Sequence, residues 1–190
     1  MSNYPNTRSS SPRSPQREVR IVTHVPVLQL ACDAVKPTHV IEHGMGIGST
    51  PFFHGQPTVQ RIFSFENDPV WRACSGCTNF AAAHRIEAYS DERLVQWLAD
   101  VPADKCVVLV DGEALERPRV LKAAMAAGVA WIVEHDAECF DGAGLRLRRE
   151  LSAEHGYVAV QYVAVHPETA AYVRASAVPE VLASADFVAL

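Results

Sequence analysis

From position 24 onward, apolar and polar residues fall into blocks whose period switches along the chain. Val25, Val27, Leu28, Leu30, Ala31 and Val35 recur at helical spacing, with Pro26 in the first turn and Pro37 beyond the end. The short run 39–42 reads as a strand. Ser49-Thr50 opens a helix that Pro51, Gly55 and Pro57 keep short or broken. Residues 61–66 form a second strand and 69–84 a helix carrying Val70, Trp71, Ala73, Cys74 and Cys77. Residues 85–90 are a third strand, followed by a helix that Asp91 caps and that buries Leu94, Val95, Trp97 and Leu98. Cys106-Val107-Val108-Leu109-Val110 is apolar throughout, as in a strand covered on both faces. Next come a helix over 118–127 closed by Gly128, a fifth strand over 129–133, and a charged helix over 145–155 ending at Gly156. Two last strands, 157–165 and 170–175, are joined through His166-Pro167-Glu168-Thr169. Alternating strands and helices predict an α/β fold: a doubly wound, mostly parallel sheet with helices on both faces. The last two strands predict an antiparallel C-terminal β-hairpin.

Composition adds a few bounds. At 190 residues the chain is long enough for one domain, expected over 19–190, and too short for two ordinary ones. Residues 1–18 are Ser, Pro, Arg and Asn with almost no apolar side chains, the composition of a disordered tail. A net charge of -5 gives no general attraction for nucleic acid. Arg146, Arg148 and Arg149 read as the solvated face of a helix rather than a basic patch. No apolar run is long enough to span a bilayer, and the first residues lack the apolar region of a secretory signal. Five cysteines (Cys32, Cys74, Cys77, Cys106 and Cys139) read as reduced thiols in a cytoplasmic protein. Cys74 and Cys77, although spaced C-x-x-C, are expected to be core-facing thiols.

The most informative motif is Glu42-His43-Gly44-Met45-Gly46-Ile47-Gly48, directly after the apolar pair Val40-Ile41. Glycines leaving a buried strand let a ligand approach bare backbone. The spacing is G-x-G-x-G, not the pyrophosphate-binding G-x-G-x-x-G, and Glu42 repels anions while attracting an ammonium or hydroxyl group. Residues 40–48 resemble the first motif of class I S-adenosylmethionine (SAM)-dependent methyltransferases. With the strand order, the resemblance covers roughly residues 24–176 and is nearest in pattern to small O-methyltransferases.

That resemblance implies SAM as cofactor, held by Glu42, Gly44, Gly46 and Gly48. Glu66, closing the second strand, is placed to accept the ribose hydroxyls, and Asp91 to meet the adenine amino group. Asp111 and Asp136, ending the fourth and fifth strands, resemble the acidic pair that holds a divalent cation in metal-assisted O-methyltransferases, so Mg2+ is a candidate second cofactor. Relatives often carry Asp-Gly-Asp-His, whereas this chain reads Asp111-Gly112-Glu113-Ala114. A metal-free route uses His135 as general base. The candidate catalytic residues are therefore His135, Asp111 and Asp136. Glu113 and Glu134 read as loop or surface charges, and His54, with Phe52 and Phe53, as a hydrophobic anchor or part of the substrate mouth.

The expected activity is O-methylation of a small molecule, the partner being a small-molecule methyl acceptor. No Pro-Pro-aromatic run follows Asp111, which disfavours nucleic acid as the acceptor, and no membrane partner is expected. The acceptor site would come from the N-terminal helix, the 51–58 loop, the 137–144 segment and a second subunit if the chain forms a homo-oligomer. The broken helix after Ser49 and the incomplete acidic motif favour an alternative: a catalytically degenerate methyltransferase-like domain serving as a SAM-binding or structural module. A different nucleotide or sugar-nucleotide enzyme is a third reading, against which the glycine spacing and Glu42 weigh.

Overall fold

The computed structural model describes residues 23–74, 83–137, 142–164, 168–177 and 186–190. The expected tail 1–18, Cys77 and Cys139 lie outside these residues, as does the side chain of Cys74. In chain order the elements are α1 (Val25–Val35), β1 (His39–His43), α2 (Ser49–His54), β2 (Arg61–Phe65), α3 (Pro69–Cys74) and β3 (Ala83–Glu87). Then follow α4 (Asp91–Asp100), β4 (Cys106–Val110), α5 (Arg117–Ala126), β5 (Trp131–His135), α6 (Gly142–His155), β6 (Tyr157–Tyr162), β7 (Thr169–Arg174) and β8 (Phe187–Ala189). The strands form one sheet in the order β3-β2-β1-β4-β5-β7-β6-β8. The first five are parallel, while β7, β6 and β8 run antiparallel.

Strand periodicity sorts the core into two layers. Val40, Val107, Leu109, Trp131 and Val133 face α1, which contributes Val27, Leu28, Ala31 and Val35, and α2, which contributes Phe53. Ile41, Val108, Val110 and Ile132 face the opposite layer, built from Leu94 and Trp97 of α4, Val120 and Leu121 of α5 and Leu151 of α6. The rings of Phe65 and Trp97 stack there at 4.1 Å. All five residues of β4 are buried, which explains its unbroken apolar run. No helix among the described residues is long and apolar enough to cross a membrane.

Several expectations need correction. The helix expected over 69–84 cannot reach His84, which belongs to β3. Ser90, not Asp91, caps α4: its hydroxyl accepts from the Arg93 N–H at 3.2 Å, leaving Asp91 as the first helical residue. Val95, expected inside, is 59% exposed. The C-terminal hairpin gains a third strand, β8, whose Phe187 pairs with Tyr162. Glu134, expected at the surface, is 0% exposed and grips the guanidinium of Arg148 at 2.5 and 2.8 Å. Tyr172 donates its hydroxyl to the same carboxylate at 2.7 Å. Arg148 therefore leaves the solvated face expected of it, while Arg146 keeps to that face.

Candidate active site

The strand order reverses between β1 and β4, and the crevice above their carboxyl ends is where open α/β sheets take ligands. The glycine loop leaves β1 at this point. Gly44 has φ +89°, and a Cβ there would lie 2.6 Å from the main chain of Asp111 and Gly112. The need for glycine is thus set by the loop crossing the end of β4. Gly112 is fixed the same way, since a Cβ would lie 2.7 Å from Nδ1 of His43. Gly46 approaches Ser49, and Gly48, with φ -97°, sits at the start of α2.

Glu66 ties the loop down. Its carboxylate accepts from the Met45 N–H at 3.0 Å and from the Asp68 N–H at 2.7 Å. Each oxygen retains acceptor capacity, and the side chain is only half-buried. Glu42 differs. It is 0% exposed and turned toward the α2 layer, where it accepts from Ser49 (2.5 Å), Thr50 (2.9 Å) and Ser64 (2.7 Å) hydroxyls. Burial pushes its carboxyl up to about 7, against the pull of those hydroxyls. The polar chain continues from Ser64 to His84 at 2.8 Å and on to His54 at 3.1 Å. Glu42 therefore touches the chain's own side chains and supports the loop from below.

A second cluster lies where β4 and β5 end. Nδ1 of His135 is 3.1 Å from Oδ1 of Asp111 and 3.7 Å from Oδ1 of Asp136; its Nε2 is 3.0 Å from the Thr23 hydroxyl. Burial lowers the proton affinity of His135, but the Asp111 bond and the two carboxylate charges outweigh it, leaving the pKa raised. Asp136 adopts φ 55°, a left-handed turn that swings the chain out of β5. Arg117 donates to the carbonyls of His135 (2.6 Å) and Gly112 (2.9 Å), and its Nη2 lies 3.7 Å from Asp111 and 3.9 Å from Asp136. His24, at the start of α1, meets the ring of His135 edge-on at 4.5 Å. Burial pulls its pKa down to about 4.

The sequence-predicted residues thus form two groups. Gly44, Gly46, Gly48 and Glu66 gather on the loop, with Glu42 beneath them; Asp111, His135 and Asp136 gather at β4 and β5. Asp91 is half exposed on α4, accepting from the Tyr89 hydroxyl at 2.5 Å and pairing with Arg119 at 3.5 Å. Sequence reasoning missed Arg117, His24 and Thr23. The Asp111 and Asp136 pair fits Mg2+ poorly, because the His135 ring nitrogen stands between the carboxylates, 3.1 Å from Oδ1 of Asp111 and 3.7 Å from Oδ1 of Asp136. Magnesium favours oxygen ligands throughout.

At the level of sequence, no family model and no curated protein matches the chain. Solved structures do. An O-methyltransferase from Bacillus cereus, solved in complex with SAH, superposes with a TM-score of 0.56 over 87% of this chain and 84% of its own, at 14% identity. The chain has the class I methyltransferase fold. The methyltransferase domain of bacterial CtHen1 gives 0.55 over 79% of this chain and 97% of its own, at 9% identity. MycE, a methyltransferase of the mycinamycin biosynthetic pathway solved with Mg and SAH, gives 0.56 at 17% identity over 85% of this chain but 49% of its own. β8 is a strand beyond the expected hairpin, and α2, as its prolines predict, is short at six residues.

Proposed function

We propose that this protein is a SAM-dependent methyltransferase acting on an oxygen of a small molecule. The observation that carries the reading is the Glu66 carboxylate binding the Met45 N–H beside the fold's switch point, with a second polar cluster at the neighbouring strand ends. Glu66 and the main chain of Gly44, Gly46 and Gly48 would hold the cofactor, with Asp91 at the outer end. Bound there, SAM supplies an electrophilic methyl group on a sulfonium. The half-buried Glu66 suits this job because its free lone pairs can accept two hydroxyls while its backbone contacts keep it rigid.

His135 is the proton acceptor in this reading. Asp111 holds the Nδ1 side of the ring and favours the imidazolium that forms as the acceptor's hydroxyl gives up its proton. An acceptor hydroxyl taking the place of the Thr23 side chain at Nε2 would be held there and give its proton to the ring. Arg117 fixes the strand ends through two carbonyls and balances the charge of Asp111 and Asp136. The reading of a SAM-binding module without transfer activity draws on one observation: Glu42 spends its oxygens on the chain's own hydroxyls.

Calorimetric titration with SAM and SAH tests the proposal. Binding by the wild type is expected to weaken by about tenfold or more in Glu66→Ala, corresponding to ~1.4 kcal/mol or more, with the melting curve of the free protein little changed. Equal affinity in the variant would refute the assignment of Glu66. Binding with no transfer to any hydroxylated acceptor would favour the module.

A further inference from the structure

We propose that the imidazoles of His24 and His135 and the carboxylate of Asp111 form a three-ligand site for a divalent transition-metal ion of the zinc type. One ligand atom from each lies within 4.8 Å of the others. His24 is 1% exposed, and neither of its ring nitrogens has a hydrogen-bond partner among the described residues. A buried nitrogen without a partner is costly, and the edge-on contact with the His135 ring does not satisfy it. An ion bound between the rings removes that cost.

The donor set decides the class of ion. Two nitrogens and one carboxylate oxygen suit zinc, cobalt or ferrous iron and not the all-oxygen preference of magnesium. His135 already carries the support expected of a ligand. With its Nδ1 on the ion, its Nε2–H points at the Thr23 hydroxyl 3.0 Å away, which fixes the ring. Zinc–nitrogen bonds of about 2.0–2.1 Å require the three donors to draw closer together than they stand in the free protein. Asp136 and Arg117 face the site with opposite charges, so the net charge offered to the ion is that of Asp111.

The site shares His135 and Asp111 with the proposed proton-transfer pair, so ion and proton compete for the same ring. An ion on Nδ1 leaves Nε2 protonated and withdraws His135 from proton transfer, so binding is measured directly and not through turnover. The probe is Co2+, titrated into full-length chelator-stripped protein and followed by its visible absorption. Saturable uptake of one ion per chain is expected, weakened about tenfold or more in His24→Ala. Because that variant removes a buried ring, wild-type crystals soaked in Zn2+ provide a second measurement, with anomalous density expected between His24, His135 and Asp111. The proposal is overturned by absence of saturable binding, by unchanged affinity in a folded His24→Ala, or by anomalous density located only at cysteine sulfur.

Discussion

Glu42 shows how far one residue's environment departs from what its neighbours in sequence imply. The acid-glycine pair reads as a ligand contact, yet Ser64, which helps enclose the carboxylate, stands on a different strand and only the register of β1 against β2 brings it there. Nothing local signals that enclosure. A pH dependence follows. The unfolded carboxyl ionises near 4.5, whereas burial holds it protonated in the fold up to about 7. Across that window the unfolded chain binds fewer protons, so this group makes stability fall as pH rises, by on the order of 3 kcal/mol in all. Half-buried His84, pulled down to about 4, acts in the opposite direction between about 4 and 6.5. The difference between wild type and Glu42→Gln isolates the carboxyl. Urea unfolding from pH 4.5 to 8 should show the variant gaining on the wild type until about pH 7 and then running level; parallel curves throughout would contradict the assignment. Gly44→Ala should cost about 3 kcal/mol or more, through its positive φ and the main chain it would strike, seen as a lowered melting temperature.

At the scale of elements, hydrophobic periodicity located every strand except β8, whose three residues are too short to show a period. The boundary between α3 and β3 was misread because Ala83 and His84 carry no strand signal of their own; pairing of Ala83 with Arg61 and His84 with Ile62 makes them strand. Three arginines in four positions of α6 predict a solvated helix face, because charges that dense ordinarily stay in water. Arg148 turns inward instead, where Glu134 and Tyr172 wait on β5 and β7. Removing one partner strands a buried charge, so Arg148→Ala should lose about 3–5 kcal/mol in chemical denaturation. Replacing both groups, as Glu134→Gln with Arg148→Met, should cost clearly less. If the double variant is as unstable as the single one, the ion pair is not the source of the loss.

For the whole molecule, the doubly wound parallel sheet with its antiparallel end was legible, since strands alternate with helices until the final pair. The meeting of Asp111 and His135 was legible too, both being strand-end residues on adjacent strands. Their contact with His24 was not, because only the packing of α1 across β4 and β5 brings an N-terminal residue to that point. β8 lies at the sheet edge remote from the glycine loop, separated from it by β4, β5, β7 and β6. Phe187→Ala is therefore expected to cost about 3 kcal/mol of stability while SAH affinity stays unchanged, as calorimetry on the folded variant would show. The crossing of Gly44 over the end of β4 has a consequence for descent. Selection on that bare α-carbon comes from the chain's own path, so a lineage that abandoned its ligand would go on conserving the residue, and its persistence among relatives would testify to architecture before it testified to catalysis.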